Sequence, residues 1–143
     1  PLFVASQYGH ADVVGMLISK GADGNQLLSP DTGASPLLKA SSRGHLEVVE
    51  KLLAHGVDVN RPTLAGHSPL FVASQYGHAD VVGMLISKGA DGNQLLSPDT
   101  GASPLLKASS RGHLEVVEKL LAHGVDVNRP TLAGHSPLFV ASQ

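Results

Sequence analysis

Histidine is the residue type best able to do chemistry in this chain, and all eight copies recur at a fixed interval. His10, His45, His78 and His113 each follow a glycine; His55 and His123 each precede one; His67 and His135 close Ala-Gly-His steps. A metal centre needs its ligands within about 2 Å of one ion. Equivalent positions on neighbouring packed units lie about 10 Å apart, so the spacing gives no metal site. The Gly-His histidines instead suit a hydrogen-bonded or packing role at a turn. Ser41-Ser42 with His45 and Glu47 could be drawn as nucleophile, base and orienter. Nothing around them resembles a strained nucleophile elbow, and the arrangement recurs in every period. Gly21-Ala22-Asp23-Gly24 ends a helix instead of opening one after a strand, so it is no phosphate cradle. Asp23 with Asn25, and Asp58 with Asn60, fit side-chain-to-backbone turns and supply too few oxygens for calcium. Ser29-Pro30 has the form of a proline-directed phosphorylation site, but Ser-Pro also recurs as a helix opening. With no cysteine in the chain, thiolate ligands, a thiol nucleophile and disulfides are excluded. No catalytic residue, cofactor or metal is expected.

The composition agrees. Of the 143 residues, 42% are hydrophobic and 3% aromatic, which demands an aliphatic core. A formal net charge of -2 argues against a nucleic-acid footprint or a polybasic membrane patch. No apolar stretch approaches the roughly 20 residues of a membrane span, and no signal-peptide pattern opens the chain.

Positions are set by repetition. The segment from Pro1 returns letter for letter at Pro69, and that from Ser35 returns at Ser103, a period of 68 residues. Each period splits into a unit A of 35 residues, as in 68–102, and a unit B of 33, as in 103–135. The expected units are 1–34, 35–67, 68–102 and 103–135, with a partial unit at 136–143. In unit B, Ser35 reads as an N-cap and Pro36 as the first helical residue. Gly44 ends that short helix. His45 to His55 reads as a second helix too apolar all round for a surface, closed by Gly56. A Pro- and Gly-punctuated loop then leads to the next Ser-Pro.

Ser35-Pro36-Leu37-Leu38, Ala40-Ser41, Gly44-His45-Leu46-Glu47-Val48-Val49 and Gly56-Val57-Asp58-Val59-Asn60 follow one order. Unit A repeats it with Pro1-Leu2-Phe3, Ala5-Ser6, Gly9-His10-Ala11-Asp12-Val13-Val14 and Gly21-Ala22-Asp23-Gly24-Asn25. This resembles the ankyrin repeat along essentially the whole chain. The resemblance implies an all-α solenoid of stacked helix-turn-helix units with protruding loops. Three departures stand out. Ser replaces the family's Thr. Phe3, Phe71, Phe139, Leu38 and Leu106 replace the His of Thr-Pro-Leu-His, so apolar packing must substitute for that side chain's hydrogen bond. Gly24 and Gly92 replace a Val, which should loosen the start of the longer loop. No unit has the polar outer face of a cap.

The resemblance also implies a non-enzymatic protein-binding scaffold using loop tips and the exposed end of helix one. The residues so placed are Gln7, Tyr8, Ser42, Arg43, Gln75, Tyr76, Ser110 and Arg111 at helix ends. In the loops they are Leu28, Asp31, Thr32, Leu64, His67, Leu96, Asp99, Thr100, Leu132 and His135. The partner would be a protein or further copies of the chain itself, with neither nucleic acid nor membrane insertion. The scaffold is expected to be part of a longer repetitive array; the alternative, which identical blocks without caps favour, is a structural fibre or filament built by end-to-end stacking.

Overall fold

The computed structural model describes residues 1–28, 31–93 and 102–125. Eight helices run through them: α1 Leu2–Gln7, α2 Ala11–Ser19, α3 Pro36–Arg43, α4 Leu46–Ala54, α5 Pro69–Gln75, α6 Ala79–Ser87, α7 Pro104–Ser110 and α8 Leu114–Ala122. No strand occurs among the described residues. The partial unit 136–143 and the Ser29-Pro30 step lie outside them.

Local chemistry starts the first helices α3, α5 and α7 where expected. Ser35, Ser68 and Ser103 accept from the backbone N–H of Leu38, Phe71 and Leu106, each at 3.1 Å, with proline at the first helical position. The second helix of unit B is one residue shorter at each end than expected, with His45 and His55 as its caps. It also has a solvent face: Glu47, Glu50 and Ala54 are exposed while Val48, Val49 and Leu52 are buried.

Each helix pair packs on itself and on its neighbours. The first helices form one layer, α1 on α3 on α5 on α7, and the second helices form another, α2 on α4 on α6 on α8. Leu37, Leu52, Leu70, Leu85, Leu105 and Leu120 fill the space between layers as one continuous core. A fully buried Leu contributes about 2 kcal/mol. The first-helix layer meets through small residues, Ala40-Ser41 against Ala73-Ser74, so its helices approach closely.

Polar ties register one unit on the next. The imidazole Nε2–H of His45 donates to the carbonyl of Gln7, that of His78 to Ser42, and that of His113 to Gln75, all at 3.0 Å. The ring lies over the glycine that ends the preceding first helix. A Cβ on Gly44 would meet His78 Nδ1 at 2.6 Å, and the backbone there has φ of 76°. Glycine therefore meets two demands at once, a left-handed cap and room for the ring. A second ladder runs along the opposite ends of the units. Asn25 Oδ1 accepts from the backbone N–H of Asp58 at 3.0 Å, and Asn60 Oδ1 from that of Asp91 at 2.9 Å. Within each turn the Asp carboxylate accepts from the backbone N–H of the Asn two residues on.

At Gly24 the methyl of Val57 from the next unit fills the space that a side chain there would take. A Cβ at Gly24 would meet Val57 Cγ1 at 2.5 Å, and Gly92 stands in the same relation to Val125. The expected apolar substitute for the missing His is present: Leu38, Phe71 and Val72 form a small cluster with Ala34 and Ala102. Phe71 also stacks on His67, with ring centroids 5.4 Å apart and planes at 8°.

Two predictions follow from these contacts. Gly44→Ala combines backbone strain of about 1–2 kcal/mol with loss of a hydrogen bond worth about 1 kcal/mol. Gly56 has φ of 79° and nothing within 4 Å, so Gly56→Ala carries the strain alone. Urea unfolding should rank Gly44→Ala clearly below Gly56→Ala; equal midpoints would remove the imidazole from the account. Separately, the Oγ atoms of Ser6, Ser41 and Ser74 are buried with no hydrogen-bond partner. Ser41→Ala removes an unpaired hydroxyl and installs the better helix former, so it should stabilise by about 1 kcal/mol.

Candidate interaction surface

The ends of the first helices converge on one groove. Gln7, Tyr8, Lys39, Ser42, Arg43, His45 and Tyr76 line a cavity of about 580 Å³. Five of the residues singled out in the sequence therefore meet here, drawn from three successive first helices and their caps. The His-to-carbonyl bonds fix their spacing, since His45 and His78 hold Gln7 and Ser42 by the backbone. Tyr8 and Tyr76 are more than half exposed. The guanidinium of Arg43 lies 5.9 Å from the centre of the Tyr8 ring, and Arg111 stands at 5.9 Å over Tyr76. Each tyrosine thus carries a cation from the following unit on its ring. Ser42 and Ser110 donate to the carbonyls of Lys39 and Lys107 within their own helices.

Beside it, a second cavity of about 300 Å³ includes Lys39, His67, Phe71, Gln75, Tyr76 and Lys107. His67 belongs to this wall more than to a loop tip. It is half-buried against Phe71, and its loop closes through Thr63, whose hydroxyl accepts from the His67 N–H at 3.1 Å. Burial first, and the Lys107 ammonium second, hold its imidazole below the ordinary value of 6.5.

The outer loop positions are displayed separately. Leu28 and Leu64 are 59% and 74% exposed, so neither tucks under its loop. Thr32 and Asp31 are exposed as well. Adjacent tips are joined: Leu64 N–H donates to the Thr32 carbonyl at 3.3 Å, and Gly33 lies against the backbone of Thr63 and Leu64. Leu96, Asp99, Thr100, Leu132 and His135 lie outside the described residues.

Lys39, Lys107 and Phe71 line these cavities without having been singled out from the sequence. The lysines were within reach of it, since each precedes an arginine by four residues and so shares its helix face. Among the described residues, no three His, Asp or Glu side chains gather where they could hold a metal ion. Nor is any helix among them long and apolar enough to cross a membrane.

Comparison with known families agrees with this architecture. The family model for ankyrin repeats in three copies matches residues 2–95, and that for many copies matches residues 70–121. The chain belongs to the ankyrin repeat family. Repeats of this family build protein-interaction scaffolds, and the groove lies on the scaffold's first-helix side. No curated protein matches the chain.

The His67 environment sets a pH dependence. In the unfolded chain this imidazole binds its proton near 6.5, whereas the folded protein takes it up only at lower pH. The unfolded state thus holds more protons in that window, and stability falls as pH drops below about 6.5. Burial disfavours the added charge, and the Lys107 ammonium opposes it further. The fall in urea midpoint between pH 7.5 and 5 should be smaller in His67→Gln than in the wild type.

Proposed function

We propose that this ankyrin array is a non-enzymatic scaffold that holds a protein partner along the first-helix groove and the neighbouring loop tips. The observation that carries the proposal is the preformed Tyr8, Arg43, Tyr76 and Arg111 series. Exposed aromatic and arginine side chains are the types that anchor protein interfaces, and here stacking pre-orders them. Gln7, Ser42, Gln75 and Ser110 supply polar contacts between the anchors. Leu28, Asp31, Thr32, Leu64 and His67 extend the surface, with Leu96, Asp99, Thr100, Leu132 and His135 as the matching positions in later units.

Selection of binders from a displayed peptide library tests this. Selected peptides should lose roughly tenfold or more in affinity on Tyr8→Ala with Tyr76→Ala, a typical anchor effect, while helicity stays constant. Binders that ignore both substitutions would move the binding face elsewhere.

A structural array built by stacking further copies of the repeat is a second reading, with one observation in its favour. Helices α2 and α6 are identical in sequence, yet Val13 is 46% exposed and Val81 fully buried. Helix α6 packs on α4 of the preceding unit B, so a further copy of that unit, earlier in the same chain or on another molecule, would cover Val13 and the exposed Met16 in the same way. Light scattering of residues 1–143 that grows with concentration, and does not in Val13→Asp, is the expected signature of the second case.

A further inference from the structure

Charge is segregated in this protein in a way that its net charge conceals. On the described first helices and their caps, the charged residues are Lys39, Arg43, Lys107 and Arg111. The carboxylates of Asp12, Glu47, Glu50, Asp80, Glu115 and Glu118 all sit on second helices, which also carry Lys51 and Lys119, with Lys20 and Lys88 at the caps of α2 and α6. Those of Asp23, Asp58 and Asp91 are engaged in their own turns. Asp31 lies in a loop, and no Asp or Glu lines either cavity. A chain of net charge -2 therefore carries a positive groove. His67, whose proton affinity is lowered first by burial and second by the Lys107 ammonium, lies on the same wall.

The cations are also placed at intervals. Lys39 and Arg43 share one helix face, about 6 Å apart along the axis, and Lys107 and Arg111 repeat the pair two units later. With about 10 Å per stacked helix, the pairs lie about 20 Å apart. Between them stand the neutral Gln75 and Tyr76. An extended peptide rises about 3.3 Å per residue, so it covers that interval in about six residues.

We propose that the groove binds an extended acidic peptide segment whose carboxylates, in clusters about six residues apart, meet the Lys39/Arg43 and Lys107/Arg111 pairs. This rests on the groove being the binding face, and adds the chemistry of what it binds. Arginine suits the task because its fork matches a carboxylate bidentately. Stacking on Tyr8 and Tyr76 pre-places the two guanidinium groups and lowers the ordering cost of binding. A nucleic acid fits less well. One strand presents a charge about every 3.4 Å, whereas these cations are clustered in two separated pairs.

The test uses fluorescence anisotropy of a labelled Gly/Ser peptide carrying two Glu-Glu pairs about six residues apart. The comparison probes are the same peptide with Gln for Glu, one with the pairs set adjacent, and single-stranded oligothymidine. The spaced Glu peptide should bind most tightly and weaken as salt rises. Arg43→Gln with Arg111→Gln should reduce its affinity about tenfold or more, with circular dichroism unchanged because both side chains are exposed. Equal binding of the Gln peptide would overturn the proposal, as would adjacent pairs binding as well as spaced ones. Oligothymidine binding more tightly, and lost in the same variant, would assign the groove to nucleic acid instead. If the Glu peptide fails while library peptides still depend on Tyr8 and Tyr76, the acidic specificity falls and the binding face stands. If neither binds, both fall.

Discussion

The imidazoles of His45, His78 and His113 each donate across a unit boundary to a carbonyl at the end of the preceding first helix. That bond depends on an absent side chain, since the ring occupies the volume that any Cβ on the underlying glycine would need. The glycine's left-handed backbone turns the chain back toward the second helix, and its missing carbon admits the neighbour's ring. Turn and stacking register are thus set by one residue pair, repeated at Gly9 and His45, Gly44 and His78, and Gly77 and His113. The Asn ladder at the far end of the units gives a second point of attachment. Two ties separated along a rigid helix pair fix orientation as well as spacing, which hydrophobic burial alone does not.

Most of the architecture was legible because its signals are local. Serine followed by proline, glycine before histidine, and Asp-x-Asn each specify a turn through atoms a few residues apart. What escaped lies between units. Nothing in Gly24 itself reveals that Val57, thirty-three positions on, would fill its space. The bonding of His45 to Gln7 likewise needs the stacked neighbour, although a hydrogen-bonded role at that turn was evident from the sequence. At the surface, helix-end positions could be inferred from the repeat, but Lys39 and Lys107 enter the groove only once the first helices lie side by side.

The division of labour between the two layers explains why the groove and the core do not compete. Small residues and buried serines line the first-helix layer, and in α3 and α5 it is chiefly the C-terminal ends that face solvent. Those ends carry Tyr and Arg alternately, because the repeating block is two units long. The proposed binding face consequently has a coarser period than the fold, and its chemistry alternates where the backbone does not.

The unequal burial of identical helices has a dynamic consequence. Val13 and Val81 occupy the same place in the same sequence, yet one faces solvent in part and the other none. Stability in a stacked array is a sum of intrinsic and nearest-neighbour terms, so α4 and α6, each packed on two second helices, are coupled on two sides. Opening either of them therefore breaks two interfaces at once. The local stability of such a helix is written in no residue of its own; it comes from the neighbours that each copy has.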